Sequence, residues 1–381
     1  MVNHIAINGR RIGPGAPVYI IAEMSANHGQ SFADAVKIID AAKQAGADAV
    51  KLQTYTPDTL TIDCANRYFT IDGTLWHGRK LYDLYGEAFT PWEWQPKLKQ
   101  HAEAIGIELF STPFDASAVE FLENMNVAAH KIASFENIDT GLLRTVAKTG
   151  KPVIASTGMA SLAEIDELVR TLREGGAGQV ALLKCTSAYP AAPEEMNLRT
   201  IPHLAAAFGV PVGLSDHTLG DAVAVAAVSL GACIVEKHFT LCRAAGGPDS
   251  AFSLEPDEFK RMVNAIRIAE RALGRVHYGV SAAETSSQIF RRSLFVVKDM
   301  GAGEVFSTDN LRSIRPGYGL HPRHLDDVLG RVATAAIARG TPLAWPLIGG
   351  GDARTGAPSD LRKVIPCAPL ERDDGEVSFD R

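Results

Sequence analysis

Two histidines occupy matching places in a strand–helix–strand pattern that spans Val210–Thr240. One apolar run ends in the letters SDH at His217, and a second, after a helix of small residues, ends in EKH at His238. Neighbouring parallel strands lie about 4.8 Å apart, so we expect the two imidazoles to meet at one end of a sheet. Two neutral imidazoles with open positions beside them suit a divalent metal ion that also binds a substrate. One such histidine alone would be better explained as a structural strand end, but the matched pair favours a metal site.

Lysines and short hydroxyl side chains end several other apolar runs. The cations are Lys51 and Lys131, and the hydroxyl groups belong to Thr112, Ser156 and Ser215. This combination of ammonium groups and short donors suits a phosphate or a phosphorylated acid. Beside a divalent metal ion, it predicts a phosphorylated three-carbon donor and a carbonyl acceptor that the metal activates.

The remaining apolar runs also end in polar side chains, among them Glu23, Ser134 and Glu136. A single polar residue of this kind can be structural. Buried charges are costly unless they are paired or bound to a ligand, so a shared site explains the whole set better than packing does.

Eight apolar runs alternate with eight helical patterns and supply the elements that must position these residues. The predicted strands are Val18–Glu23, Ala49–Thr54, Ile107–Thr112, Ala129–Ser134, Pro152–Thr157, Val180–Thr186, Val210–His217 and Ala232–His238. Continuous apolar strands are typical of a parallel sheet that is buried on both faces, and the alternation predicts a TIM (β/α)8 barrel. A doubly wound Rossmann sheet is the second choice, disfavoured because no GxGxxG motif follows a strand. The pair Asn8-Gly9 predicts a hairpin, which we expect to close one end of the barrel. Ser253 is the expected N-cap of the last barrel helix, Pro256–Leu273.

Composition sets further bounds. The chain has 381 residues, 46% of them hydrophobic and 22% charged, which is ordinary for a soluble enzyme. The formal charge of −6 argues against a general nucleic-acid-binding surface. The five cysteines show no paired spacing, and no apolar run approaches membrane length. We therefore expect a cytoplasmic protein with no membrane association.

The pattern also divides the chain. Residues 1–280 are expected to form the barrel with its N-terminal hairpin, and residues 281–290 a linker. Residues 291–348 are expected to form a small domain with one helix at His321–Leu329, and residues 349–381 a disordered tail.

The segment Asp58–Thr90 is long for a βα loop and rich in aromatic residues. It either shapes substrate specificity or is a surface lid packed by its own aromatic side chains.

Ten short motifs in residues 1–348 resemble those of the sialic acid synthase family, the bacterial nonulosonate synthases. They are IAEMSANH (21–28), VKLQT (50–54), STPFD (111–115), KIASFE (131–136), STGM (156–159), KCTSAYP (184–190), GLSDHT (213–218), EKHFT (236–240), GPDSAFSL (247–254) and RPGYG (315–319). The resemblance implies a TIM barrel followed by a small antifreeze-protein-like (SAF) domain. It also implies condensation of phosphoenolpyruvate with the open-chain form of an N-acetylated amino sugar, giving a nine-carbon α-keto acid and phosphate.

By the same resemblance, each matching residue carries an expected role. His217 and His238 are the expected ligands of Mn²⁺ or Mg²⁺. The expected catalytic residues are Glu23, Lys51, Lys131 and Glu136, and the expected substrate contacts are Thr112, Ser134, Ser156, Tyr189, Ser215, Asp249 and Arg315. Arg315 resembles an arginine that the small domain sends into the barrel of a partner chain, which implies a domain-swapped homodimer.

Within the family, three features favour a 2,4-diacetamido-2,4,6-trideoxy-L-altrose acceptor. They are Met24-Ser25-Ala26 before Asn27-His28, the insertion at residues 73–94, and the RPGYGLHP stretch. Ser187 replaces an asparagine that is common in sialate synthases, which disfavours N-acetylmannosamine. N-acetylmannosamine and a diacetamido-trideoxy-mannose stay as alternative acceptors, and a non-catalytic carbohydrate-binding protein is the alternative of a different class.

Overall fold

The computed structural model describes residues 4–350, and its largest feature is a closed barrel of eight parallel strands. A hairpin of β1 (Ile5–Ile7) and β2 (Arg10–Ile12) precedes it. The barrel strands are β3 (Tyr19–Glu23), β4 (Ala49–Thr54), β5 (Glu108–Pro113), β6 (His130–Ile132), β7 (Val153–Ser156), β8 (Val180–Cys185), β9 (Val212–Asp216) and β10 (Ile234–His238). β10 pairs with β3 and closes the ring. The predicted TIM barrel is confirmed.

Helices alternate with the strands and cover the outside of the barrel. They are α1 (Phe32–Ala45), α2 (Pro57–Leu60), α3 (Leu81–Ala88), α4 (Gln95–Ile105), α5 (Ala116–Asn124), α6 (Thr140–Ala147), α7 (Leu162–Glu174), α8 (Thr200–Phe208), α9 (Ala222–Ser229) and α10 (Pro256–Leu273). The expected N-cap of α10 at Ser253 is wrong. Glu255 takes that place because its side chain and that of Glu258 form a reciprocal capping box.

The interior of the barrel is packed by every second residue of each strand. Tyr19, Ile21 and Ile234 belong to one apolar cluster that fills the barrel between the strands. Gly213 faces the same interior, where an added Cβ would lie 2.6 Å from Ile234 Cβ. The close approach of β9 and β10 therefore requires glycine at this position.

The hairpin closes the amino-terminal end of the barrel. Ile5, Ile7 and Ile12 are buried in the same cluster as the interior residues. Asn8 and Gly9 both have positive φ, 46° and 76°, as the type I′ turn predicted from this pair requires.

A second compact unit begins at residue 276. It pairs β11 (Ser293–Val296) with β12 (Leu311–Ile314) and β13 (Val332–Ala333) with β14 (Ile348–Gly349), and α11 (Leu325–Val328) is its α-helix. The predicted helix at His321–Leu329 is therefore too long, because Pro322 opens a separate 3₁₀ turn that ends at His324. The expected linker, 281–290, carries two short 3₁₀ helices. The expected start of the tail at residue 349 is wrong, because Gly349 pairs with Val332 as part of β14; residues 351–381 lie outside the described residues.

In the described part of the chain, we find no helix with the length and apolar character needed to cross a membrane.

Candidate active site

The carboxyl end of the barrel gathers the polar side chains that end the strands. Alternation along each strand fixes which residues face inward, so Glu23 follows Tyr19 and Ile21 on the inner face of β3. Glu23 is in register with Lys51 on one side and with His238 on the other. The strand order therefore brings residues that are far apart in sequence to one opening.

Two lysines and two glutamates form the floor of this opening. Lys51 Nζ lies 2.7 Å from Glu23 Oε2 and 3.6 Å from Glu236 Oε1. Lys131 Nζ lies 3.9 Å from the same Glu236 oxygen, and none of the four side chains is more than 6% exposed. Two positive and two negative charges thus balance one another in a site that water barely reaches. The two ammonium groups are held where an incoming phosphate or carboxylate would meet both.

The two floor carboxyls differ in their pKa values. Burial raises the pKa of Glu23 to about 7, even though Lys51 opposes the shift. Burial also acts to raise the pKa of Glu236, but Lys131 and Lys51 together hold it below its usual value. Two carboxyl groups beside the same cation are expected to have different pKa values, because the lysines favour the ionised form of one of them. Burial lowers the pKa of Lys131.

Hydroxyl groups surround the two lysines. Lys51 Nζ donates to Thr112 Oγ1 at 3.1 Å, and Lys131 Nζ donates to Ser156 Oγ at 2.7 Å. Ser215 Oγ donates to Glu236 Oε1 at 3.4 Å. The expected phosphate contacts on β4, β5, β6, β7 and β9 are therefore in one cluster.

Ser134 lies in the loop after β6, where it contacts the loop after β7. Its Oγ accepts a hydrogen bond from the Gly158 backbone N–H at 3.1 Å. A Cβ at Gly158 would lie 2.6 Å from the same oxygen, so glycine is needed for this approach. The Asn137 side chain donates to the carbonyl oxygens of Ser156 and Gly158, both at 3.3 Å, and holds the two loops together.

The two imidazoles meet beside the lysine floor. The ring centroids of His217 and His238 are 5.4 Å apart. His217 Nδ1 lies 2.9 Å from the Thr186 carbonyl oxygen, which only accepts, so this nitrogen carries a proton, and in the neutral ring Nε2 offers the lone pair for a metal ion. Burial holds the pKa of His238 well below its usual range, so this ring is neutral. The placement predicted from the strand ends is found.

The donor set around the imidazoles fits a divalent ion with open positions. The buried Nδ1 of His238 has no hydrogen-bond partner within residues 4–350. Within those residues no group of three or more His, Cys, Asp or Glu side chains is arranged as a metal site. Two protein ligands would leave the other positions to water and substrate.

Aromatic rings enclose the imidazole pair. The Tyr189 ring lies over His217, with centroids 4.3 Å apart and the planes inclined by 36°. Phe252 lies 4.9 Å from His238 and 5.2 Å from Tyr189. One side of the opening is thus ionic and the other aromatic.

A chain of hydrogen bonds joins Asp249 to the floor. Ser25 Oγ donates to Asp249 Oδ2, and Gln53 Nε2 donates both to Ser25 Oγ and to Glu23 Oε1 at 2.9 Å. Burial raises the pKa of Asp249. The two carboxyls expected to contact the sugar, Glu23 and Asp249, therefore belong to one network.

Glu136 lies in the loop after β6 with a carboxyl oxygen free for a ligand. Its buried Oε2 has no hydrogen-bond partner in the part of the chain that the structure describes. Burial raises the pKa of Glu136 to about 7, and Lys131 opposes that shift. The carboxyl is thus suited to gain and lose a proton near neutral pH.

Arg315 differs from the other expected site residues because it lies in the second unit. It directly follows β12 and its side chain is exposed. The remaining expected site residues all lie in the barrel unit.

The structure gives a place in the site to Glu236, Gln53 and Ser25, to which no role was assigned from the sequence. Glu236 is the anion between the two lysines, and Gln53 joins Glu23 to Ser25. Strand alternation was the available signal, since Glu236 shares a face with His238 and Gln53 shares one with Lys51.

Comparisons with known proteins show similarity along most of the chain. The model of the NeuB family matches residues 38–278, and that of the SAF domain matches residues 291–348. The chain is 47% identical to the pseudaminic acid synthase of Campylobacter jejuni, over 86% of this chain and 95% of the relative. It is 35% identical to the N,N'-diacetyllegionaminic acid synthase of Legionella pneumophila, over 89% and 97%. A crystal structure of N-acetylneuraminic acid synthetase from Leptospira borgpetersenii superposes with a TM-score of 0.68 at 31% identity, covering 75% of this chain and 95% of that one.

Proposed function

The chain belongs to the NeuB family, as its motifs predicted, and we propose that it condenses phosphoenolpyruvate with 2,4-diacetamido-2,4,6-trideoxy-L-altrose to give pseudaminic acid and phosphate. It is thus a transferase, a pseudaminic acid synthase. The observation that carries the condensation is the meeting of two buried lysines and two imidazoles at one barrel opening. The choice of sugar rests on the similarity to the Campylobacter enzyme.

Lys51 and Lys131 hold the phosphorylated donor in this proposal. Their ammonium groups are fixed by Glu23 and Glu236 before any ligand arrives, so little reorganisation is needed when the anion binds. The hydroxyls of Thr112, Ser156 and Ser215, together with Ser134, donate to the remaining oxygens of the donor.

Glu23, Tyr189 and Asp249 orient the open-chain sugar. The Gln53–Ser25 network keeps Glu23 and Asp249 in fixed relation, so the two carboxyls can receive neighbouring sugar hydroxyls or amides. We assign His217 and His238 as the residues that hold a divalent cation, Mn²⁺ or Mg²⁺. When bound, the cation supplies a Lewis acid that polarises the aldehyde oxygen.

Carbon 3 of phosphoenolpyruvate then forms a bond to the aldehyde carbon of the sugar, and the aldehyde oxygen gains a proton to become a hydroxyl. Positive charge develops at carbon 2 of the donor, where a water molecule adds. Glu136 takes a proton from that water, because its free carboxyl oxygen is buried beside Lys131. The hydroxyl group formed at carbon 2 loses its remaining proton as the C–O bond to phosphate breaks, so phosphate leaves with that proton and the keto acid remains. The proton taken up by Glu136 balances the one gained by the aldehyde oxygen.

A panel of sugars tests the acceptor. Phosphate release from phosphoenolpyruvate is measured with Mn²⁺ and with N-acetylmannosamine, 2,4-diacetamido-2,4,6-trideoxy-L-altrose or 2,4-diacetamido-2,4,6-trideoxy-D-mannose. We expect the altrose compound to give the highest kcat/KM. A higher value with N-acetylmannosamine would make the protein an N-acetylneuraminate synthase, and one with the mannose compound a legionaminate synthase. Sugar binding with no phosphate release would favour a non-catalytic carbohydrate-binding protein.

We also propose that the active form is a domain-swapped homodimer in the cytoplasm, with Arg315 completing the sugar site of a second chain. The exposed Arg315 on the small unit supports this proposal, as does the SAF match. Mixed dimers test it. Arg315→Ala and Lys131→Ala chains, each inactive alone, should regain part of their activity when refolded together. If activity after mixing stays at the level of the separate variants, the proposed exchange of small domains between chains is contradicted.

A further inference from the structure

The long segment between β4 and α4 folds into a small hairpin-like tip that carries Trp76. The backbone N–H of Ile71 donates to the Arg79 carbonyl at 2.9 Å, and that of Gly78 donates back to Ile71 at 2.8 Å. The Lys80 ammonium lies 2.7 Å from Asp63 Oδ1 and ties the base of the tip to the start of the segment. The tip therefore has a defined shape.

Trp76 faces the protein, while its neighbours face solvent. Leu75 is 54% exposed and the His77 side chain 70% exposed, but Trp76 is half-buried. The Trp76 indole N–H donates to the Pro248 carbonyl at 3.0 Å, next to Asp249. The Trp76 ring centroid lies 5.7 Å from that of Tyr189, at 52°.

These contacts connect the tip to the imidazole pair. Tyr189 lies between Trp76 and the imidazole pair, because its ring centroid is also 4.3 Å from that of His217. A sugar whose aldehyde lies beside His217 and His238 must extend away from the packed floor, towards the rim. Tyr189 and Trp76 form the aromatic wall of that rim.

We propose that Trp76 is a specificity-determining residue that selects the apolar substituents at the far end of the acceptor sugar. This inference rests on the proposed function. The proposed acceptor has a methyl group and an acetamido group where N-acetylmannosamine has hydroxyls. An indole face favours the methyl groups over hydroxyls, which would lose hydrogen bonds to water there. One methylene-sized group in an apolar pocket changes kcat/KM by roughly tenfold or more.

The test measures kcat/KM for 2,4-diacetamido-2,4,6-trideoxy-L-altrose and for N-acetylmannosamine in wild type and in Trp76→Ala. We expect the ratio of the two values to fall roughly tenfold, with the KM for phosphoenolpyruvate unchanged. Trp76→Phe keeps an apolar ring but loses the N–H donor, and should retain most of the ratio. Leu75→Ala, on the solvent side of the same tip, is the matched control and should leave both values unchanged.

The outcomes separate the two proposals. If wild type prefers N-acetylmannosamine, the proposed acceptor is wrong. If wild type prefers the altrose compound but Trp76→Ala lowers both values by the same factor, Trp76 only supports the fold and the inference is overturned. Thermal melting shows whether Trp76→Ala is folded. If Trp76→Ala is not folded, the same ratio of kcat/KM values is measured in Trp76→His, which places a polar ring at this position. An unchanged ratio in Trp76→His would also contradict the inference.

Discussion

The ion pair between Asp216 and Lys237 leads to a prediction about stability and about the imidazole pair. The Lys237 Nζ and Asp216 Oδ2 atoms are 2.7 Å apart, and both side chains are 0% exposed. Asp216 Oδ1 also accepts from the Thr218 backbone N–H at 2.9 Å and from its hydroxyl at 2.7 Å. Because His217 follows Asp216 and His238 follows Lys237, this pair joins the two strand ends that carry the imidazoles.

Asp216→Ala should lower the free energy of unfolding by about 3–5 kcal/mol, because it leaves a buried ammonium group uncompensated. It also removes the acceptor of both Thr218 donors. Asp216→Asn with Lys237→Met removes both charges and should recover most of the loss. Mn²⁺ binding, measured by titration calorimetry, should weaken in Asp216→Ala because the two imidazoles lose their fixed spacing.

A second ion pair of the same length provides the control. Arg170 Nε lies 2.7 Å from Asp166 Oδ2 on α7, but these side chains are 60% and 52% exposed. Asp166→Ala should cost far less than Asp216→Ala, since solvent screens an exposed pair. The assay is urea unfolding of the full chain followed by circular dichroism. Equal losses in Asp216→Ala and Asp166→Ala would refute the reasoning from burial.

Three further predictions concern the chemistry. The pKa of Glu136 is raised to about 7 by burial and the carboxylate form is the base, so kcat should rise as the pH increases through about 7. Glu136→Gln should be slower, and its pH–rate profile should lose the contribution of Glu136 to that limb. Because burial also raises the pKa of Glu23 to about 7, a weaker limb can remain, but a profile of the same shape as that of wild type would exclude Glu136 as the base. His217→Ala and His238→Ala should each abolish the Mn²⁺ binding measured by calorimetry, and EDTA should inactivate wild type. Full turnover by either variant without metal would refute the assignment of the two histidines as metal ligands. Phosphoenolpyruvate labelled with ¹⁸O at its bridging oxygen should deliver the label to phosphate, and label kept in the keto acid would exclude C–O cleavage.

The barrel was predictable because its strands are buried on both faces. In the run Ala49–Thr54 every residue but Gln53 is buried, and the predicted bounds match β4 at both ends. The prediction for β6 was too long at both ends, because the chain leaves the sheet after Ile132 to form the loop that carries Ser134 and Glu136. Hydropathy cannot mark that exit, since Ala133 and Phe135 continue the apolar pattern although Phe135 is 57% exposed.

Contacts between distant loops were not predictable in the same way. The alternation rule placed Lys51, Lys131 and the two histidines at one opening, but Glu236 between the lysines depends on barrel closure across several strands. The small unit was predicted less well because its strands are short. β13 and β14 have two residues each, too few for a hydrophobic period to show.

The sealed amino-terminal end of the barrel has a kinetic consequence. Because Ile5, Ile7 and Ile12 fill that end, reactants and products pass through a single entrance at the carboxyl end. Glu236 precedes His238 by two residues on β10, so the carboxylate between the two lysines leaves its strand about 7 Å nearer the sealed end than the His238 ring does. A sugar bound first would block the way to the floor. We therefore expect the phosphorylated donor to enter before the sugar, and free sugar in excess to inhibit competitively with respect to the donor.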